Sequence, residues 1–453
     1  MAANLDYAFD EYLKARPSES VSAVQSFHEK LRHTTFRFGR FTIPAFYKAF
    51  FVTPKQHHLL KRVAAAFHQI INTTTRLYFE EPQLANRFHL APEAEDLVRI
   101  DPGYSRNVVF GRFDALLEGE SLKILEFNCD TPIGASYADQ LETAFLSEKL
   151  VAPFAEENHL AASERVQNIL NSLLAVYEEF GGYESPQIAI VDWRHARTHA
   201  ESEFMKAHFE TRGYKSVIAD PRELQYRGGK LYHKGFRVHL IYRRVHFDTL
   251  VERLDEVQDL IRAYRDKAVC IVNPLRAHLS SNKSIFSLLT NRAFDRFFTD
   301  SENQMKKNHL PWSRCVADAE DFYGHRKVFL VDFLKDEKET LVLKPPRSHG
   351  PEHVRIGRET PDGDWNAAVD KALKEPGWVI QEYVNVPVVT VPQVVNGKLD
   401  FAYKKHNFNM LVFGGKYSGG LVRLSDESVV NVATGGGLMP AVWTDVAPDS
   451  FTA

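Results

Sequence analysis

The chain has 453 residues, 44% of them hydrophobic and 12% aromatic, enough for a large core and for two or three domains or one multi-lobed enzyme. Lys and Arg number 56 against 59 Asp and Glu, a net charge of −3 without a long run of either sign, so bulk charge selects neither nucleic acid nor an anionic membrane. The start, MAANLDYAFDEYLK, lacks a signal-peptide core, and no apolar run approaches the roughly 18 residues of a membrane span, so a soluble, cytoplasmic protein is expected.

The first hundred residues read as helical. In TPKQHHLLKRVAAAFHQIINTTTRLYF, Thr53 is placed as N-cap, Pro54 at the first helical position and Gln56 as the partner of a capping box. His57, His58 and His68 there lack the i, i+4 spacing that puts two metal ligands on one helix face, and read as surface or packing residues. Next comes GRFDALLEGESLKILEFNCD, two apolar runs interrupted by Arg112, Asp114, Glu126 and Asn128. Strand side chains alternate faces, so a chain folding back about Glu120 sets Asp114 opposite Glu126 and Arg112 opposite Asn128, with Phe113, Ala115, Leu125 and Phe127 on the other face. Facing carboxylates repel and require neutralisation. The patch is either an exposed polar face with a salt bridge or a set of hard oxygen ligands for Mg²⁺, with Arg112 holding a phosphoryl group.

Residues 138 to 180 read as helical. From QIAIVDW to KAVCIV, strands alternate with helices, including GFRVHLIYRRV as one extended run, which predicts a parallel sheet with right-handed crossovers. From about residue 325 the pattern is β-rich: KVFLVDF, ETLVLKPP, GWVIQEYV, VVTVPQVVNGKLDFAYKKHNFNMLVF and GGLVRLS, with a hairpin at Asn396-Gly397 and one helix, DWNAAVDKALKE. Cys129, Cys270 and Cys315 form no CxxC pair, so neither a disulfide framework nor a thiolate zinc site is expected, and Cys129 reads as a buried structural thiol.

Several pieces fit a nucleotide. Lys344 leaves the strand LVLKPP ahead of the loop RSHGPEHVRIG, as a phosphate-binding lysine or as part of a plain connector. Lys283, in SNKSIF, is a second phosphate cation or a surface charge. GWVIQEYV ends in Gln381 and Glu382, a strand-to-loop passage that can supply apolar faces, backbone groups and a carboxylate to an adenosine. Arg423 leaves a strand ahead of Gly435, Gly436 and Gly437, which allow close backbone approach to a ligand or simply form a loop.

Taken in order, RFD, EFNCDTP, IYRR, NPL with SNK, LKPP, IQEYV and Arg423 with its glycine-rich tail resemble the circularly permuted ATP-grasp ligases related to the synthetase domain of glutathionylspermidine synthase. The resemblance spans about residues 105 to 440, and RxD followed by ExN is its most specific element. It implies an α/β and α+β multi-lobed ATP-grasp fold: a helical N-terminal region (1–104), a metal-binding hairpin with helices (105–184), a Rossmann-like pre-ATP-grasp domain (185–275) and the ATP-binding lobes (276–453). By the same resemblance Asp114, Glu126 and Asn128 hold two Mg²⁺ ions and Arg112 steadies the phosphoryl group. Lys283 and Lys344 hold ATP phosphates, and Ser348, His349 and Gly350 belong to the phosphate-covering loop. Gln381, Glu382, Tyr383 and Val384 line the adenine pocket, and Arg243, Arg244 and Arg423 lie near the substrate cleft. The loop is poorer in glycine than in relatives, and Pro351 removes a donor from it. The expected activity is ATP-dependent joining of a small-molecule or peptide carboxylate to an amine through an acylphosphate. A small-molecule kinase and a non-catalytic nucleotide-binding pseudo-ligase are the alternatives. No hydrolase half is expected, and neither the acid, the amine nor the oligomeric state is legible.

Overall fold

The computed structural model of the chain describes residues 3–346, 354–430 and 435–445. Its amino-terminal part holds helices α1 (Ala3–Lys14), α2 (Pro17–Arg32) and α3 (Pro54–Glu80). The start of α3 follows from its first residues: the Gln56 N–H donates to the Thr53 side chain, the Thr53 N–H donates back to the Gln56 side chain, and Pro54 opens the first turn. The region is not wholly helical, because strand β1 (Phe50–Val52) precedes α3.

The hairpin consists of β2 (Phe110–Glu118) and β3 (Ser121–Asn128), with Asp114 opposite Glu126 and Arg112 opposite Asn128. The turn is tighter than a fold about Glu120, since Glu118 faces Ser121 across Gly119-Glu120, and Gly119 takes a left-handed φ of 57°. A β-bulge then inserts Leu125 as an extra residue between the Asp114–Glu126 and Ala115–Ile124 pairs. Ile124 therefore joins Phe113, Ala115 and Phe127 in the core, and Leu125, expected on that face, lines the cleft instead.

After helix α4 (Ala135–Leu146), helices α5 (Arg165–Glu179) and α6 (His199–Thr211) pack on a four-stranded, all-parallel sheet of β4 (Ile188–Val191), β5 (Ser216–Ala219), β6 (Leu240–Arg243) and β7 (Cys270–Val272), in the order β7-β6-β4-β5. The run GFRVHLIYRRV is broken at His239, with Phe236–Val238 joining a small antiparallel sheet and only Leu240–Arg243 the parallel one.

After the short helix α7 (Ser284–Leu289), strands β8 (Ser313–Cys315), β9 (Leu341–Lys344), β10 (Arg355–Ile356) and β11 (Val379–Glu382) form an antiparallel sheet ordered β8-β11-β9-β10. KVFLVDF is not one strand, because Leu330–Asp336 is helical. Strands β12 (Val388–Val395), β13 (Lys398–Phe413), β14 (Lys416–Ser425) and β15 (Gly437–Met439) complete a six-stranded sheet with the hairpin. β13 pairs β12 and β2 along its two halves and β14 on its other edge. Asn396 and Gly397, with φ of 51° and 75°, make the turn between β12 and β13. The last strand among the described residues, β16 (Ala441–Thr444), pairs in parallel with β1, so the amino-terminal region and the carboxyl-terminal part of the chain share one sheet.

Candidate active site

The six-stranded and four-stranded sheets both line a cleft of about 860 Å³. Leu116 and Leu125 reach it from the hairpin, and Val342 and Ile356 from the smaller sheet. Alternation explains the second pair: Leu341 and Leu343 of β9 turn into the core beneath, leaving Val342 and Lys344 on the cleft side.

Four charged and amide side chains of the hairpin meet the two lysines here. Arg112 grips Asp114 bidentately, Nε to Oδ1 at 2.7 Å and Nη2 to Oδ2 at 3.1 Å, and Arg423 donates a further bond to Oδ2. Lys283, at the start of α7, pairs with Glu126 at 3.2 Å. Lys344 Nζ donates to Gln381 Oε1 at 2.6 Å and to the Leu125 carbonyl at 3.0 Å, tying the smaller sheet to the hairpin. The repulsion anticipated between the facing carboxylates is met by these cations. Burial pushes both carboxyls up, but Arg112 and Arg423 hold Asp114, and Lys283 and Lys344 hold Glu126, below the usual carboxylate range. Burial, with Lys283 adding to it, lowers Lys344 to about 8 against the pull of Glu126. Arg112, Lys283, Lys344 and Arg423 against Asp114 and Glu126 leave the cluster cationic, as a polyphosphate demands.

Gln381, Glu382, Tyr383 and Val384 all border the cleft. Gln381 also donates to Ser313 Oγ at 3.1 Å, Glu382 accepts from the Tyr323 hydroxyl at 3.1 Å, and the Arg358 guanidinium lies 4.0 Å over the Tyr383 ring. Ser348, His349, Gly350 and Pro351 lie outside the described residues.

The donor set fits a divalent cation. Asp114 spends three of a carboxylate's roughly four acceptor positions on guanidinium, leaving one on Oδ1, while Glu126 keeps a third of its side chain exposed toward the cleft. The Asn128 amide nitrogen is buried with no hydrogen-bond partner in the structure, a donor placed where a phosphate oxygen can accept.

Of the arginines expected near the substrate cleft, Arg423 and Arg244 line it and Arg243 does not. Arg243 donates to the carbonyls of Asn273 at 3.0 Å and Val245 at 2.8 Å and pairs with the Asp130 carboxylate at 2.6 Å. Arg244 does reach the cleft wall, but its guanidinium is held by Glu201 of α6 and by the Pro132 carbonyl. Sequence reasoning missed Asn407 and Asn409, whose oxygens accept from Arg423 Nε at 3.3 Å and Nη2 at 2.9 Å. Their signal was the same as the hairpin's, polar residues two apart in an apolar run.

The profile of the glutathionylspermidine synthase pre-ATP-grasp family matches residues 24–402. The chain belongs to that family. A search of curated protein sequences finds no match. Among solved structures, this member of the glutathionylspermidine synthase pre-ATP-grasp family is similar to a glutathione synthetase-like effector from Globodera pallida, at 11% identity with a TM-score of 0.60, covering 93% of this chain and 96% of that one. That likeness shows a shared fold of mixed α and β structure, and with the family match it fits an ATP-grasp-related one. Weaker matches are a putative gamma-glutamylcysteine synthetase from Methylobacillus flagellatus (TM-score 0.37, 11% identity, 85% and 89% covered) and a D-alanyl-alanine synthetase from Vibrio cholerae (0.28, 9%, 58% and 90%).

Proposed function

We propose that the protein is an ATP-dependent carboxylate–amine ligase that activates its acid as an acylphosphate and releases ADP and phosphate, on a circularly permuted ATP-grasp core. The observation that carries this reading is the meeting of Arg112, Asp114, Glu126 and Asn128 with Lys283 and Lys344 in one cleft lined by two antiparallel sheets. Family membership supports it.

Both reactants of the first step, a carboxylate and a triphosphate, are anions, so the protein's task is positioning and charge neutralisation. In this reading Lys344 and Lys283 take phosphate oxygens, and Arg112 and Arg423 steady the phosphoryl group in transit. Glu126, Asn128 and the remaining Asp114 position would hold Mg²⁺, which would supply positive charge to offset that of the phosphate oxygens. Leu116, Leu125, Val342 and Ile356 supply apolar faces for the adenine, and Gln381 to Val384 its edge. An acylphosphate survives only where water is kept from it.

Replacing Glu126 with Ala removes a cation donor without touching the core and is expected to abolish ADP release while leaving the thermal transition in place. Undiminished turnover would remove the hairpin from the mechanism. The substrates are found by crossing a panel of carboxylates with amines and reading ADP release and product mass.

A further inference from the structure

The hairpin that carries the site stops pairing with itself at the Arg112–Asn128 rung. Beyond it the strands diverge, and the peptide groups of Val109, Phe110, Cys129 and Asp130 turned toward the gap need other partners. One side chain supplies them. The Asn273 carboxamide, 1% exposed, accepts on Oδ1 from the N–H groups of Val109 at 2.9 Å and Phe110 at 2.8 Å. Through Nδ2 it donates to the carbonyls of Phe110 at 2.8 Å, Cys129 at 2.7 Å and Asp130 at 3.2 Å. A carboxamide carries the donor and acceptor of a peptide unit, so this side chain acts as an extra rung between the two strands, contributed by another sheet: Asn273 directly follows β7.

Arg243, at the end of the adjacent strand β6, holds that rung in place. Its Nε donates to the Asn273 carbonyl at 3.0 Å, and its Nη2 pairs with the Asp130 carboxylate at 2.6 Å and donates to the Asp130 carbonyl at 3.3 Å. The ends of two strands of the parallel sheet thus grip the open end of the hairpin. Arg112 and Asn128 are its last paired residues, and their separation depends on how far the strands diverge.

We propose that Asn273, backed by Arg243, is a positioning residue for the cation and phosphoryl site, setting the spacing of Arg112 and Asn128 from the neighbouring domain. The inference rests on the ligase reading above and adds to it a residue that touches neither substrate nor cation. Only the amide of Asn serves here. Aspartate matches its shape but presents an acceptor to three carbonyls, Ala removes the partner of all five backbone groups and leaves only the Asp130 carbonyl with another donor, Arg243, and Gln carries one methylene too many for a closed site.

The test compares Asn273→Asp with Phe27→Leu, a change at a buried residue of another hydrophobic cluster that does not itself line the cleft, and with Arg243→Lys, which keeps the charge facing Asp130 but gives up the guanidinium fork. Titration calorimetry with a non-hydrolysable ATP analogue, with and without Mg²⁺, gives the gain in affinity that the cation brings. The expected result is that Asn273→Asp and Arg243→Lys lose about 10- to 100-fold of that gain, the range seen when residues orienting metal ligands are changed. Phe27→Leu is expected to keep it at a comparable loss of melting temperature. Should Asn273→Asp not fold, Arg243→Lys decides alone. A full gain in the positioning variants, or an equal loss in Phe27→Leu, overturns the inference and leaves the ligase reading standing. No gain in the wild-type protein overturns the ligase reading first, and the positioning role with it.

Discussion

Lys344 shows how burial tunes a single residue for this site. With its ammonium drawn down to about 8 by burial and by Lys283, it is charged at neutral pH and loses its proton within an accessible range. A folded value below that of the unfolded chain means that the native state carries fewer protons between about 8 and 10.4, so stability rises with pH across that window. Nucleotide affinity moves the other way, since the charged form binds phosphate. It is expected to weaken as pH rises above about 8 in the wild type and to stay flat in Lys344→Arg, whose guanidinium remains protonated throughout. Calorimetric titration of the ATP analogue from pH 7 to 9.5 checks this, and a slope surviving in Lys344→Arg would assign it to another group. At this scale the sequence was informative where polar residues broke an apolar alternation, as at Arg112, Asp114, Glu126 and Asn128. It misplaced Arg243, because the doublet in IYRR gives no sign of which guanidinium the fold consumes internally.

The hairpin is the element on which the site depends, and its register came out of two compensating features. The tight turn at Gly119-Glu120 starts the ladder one residue short of the pairing that a turn centred on Glu120 produces, and the Leu125 bulge restores it before Asp114. Simple alternation therefore predicted the Asp114–Glu126 pair and mistook the face of Leu125. Deleting Leu125 removes the bulge while preserving the Ala115–Ile124 and Asp114–Glu126 pairs, so the fold is expected to survive. The loss is the carbonyl that accepts from Lys344 and an apolar side chain facing the cleft. Nucleotide affinity should fall about tenfold or more, in line with the roughly 1.5–3 kcal/mol that a buried apolar side chain contributes, at a melting temperature close to wild type. A second element-scale feature lies behind the site. Arg165 of α5, wholly buried, bonds Glu142 of α4 at 2.9 Å, Asp139 at 3.0 Å and the Gly420 carbonyl of β14 at 2.9 Å. Arg165→Met leaves the buried Glu142 and the half-buried Asp139 without their cation and is expected to cost about 3–5 kcal/mol in urea unfolding, as breaking a buried pair does. A loss below about 1 kcal/mol would class the cluster with surface pairs.

Across the whole molecule, segments far apart in sequence share one interior. Leu60 and Phe67 of α3, Phe113 and Phe127 of the hairpin, Ile241 and Ile271 of the parallel sheet and Met410 of β13 belong to a single hydrophobic cluster. The amino-terminal region is bound to the carboxyl-terminal end by the β1–β16 pairing. A chain ending at Gly436 loses β15 and β16, leaves β1 unpaired, and is expected to unfold several degrees below the full chain in calorimetry. An unchanged transition would show that the helices alone hold this region. Among the described residues, no helix is long and apolar enough to cross a membrane. Local order was decided by local residues: the Thr53–Gln56 capping box, the Asn396-Gly397 turn, the alternation that gathers four polar groups on one hairpin face, and the strand–helix alternation of the parallel sheet all act within a few residues. What only tertiary structure decided is which separated groups meet. Arg423 lands on Asp114 because β13 lies between β14 and β2 in one sheet, and Asn273 reaches the hairpin because two strand ends of another sheet abut it. Those juxtapositions are set by how sheets stack and share a core, a property of the packed whole that no short stretch of the chain encodes.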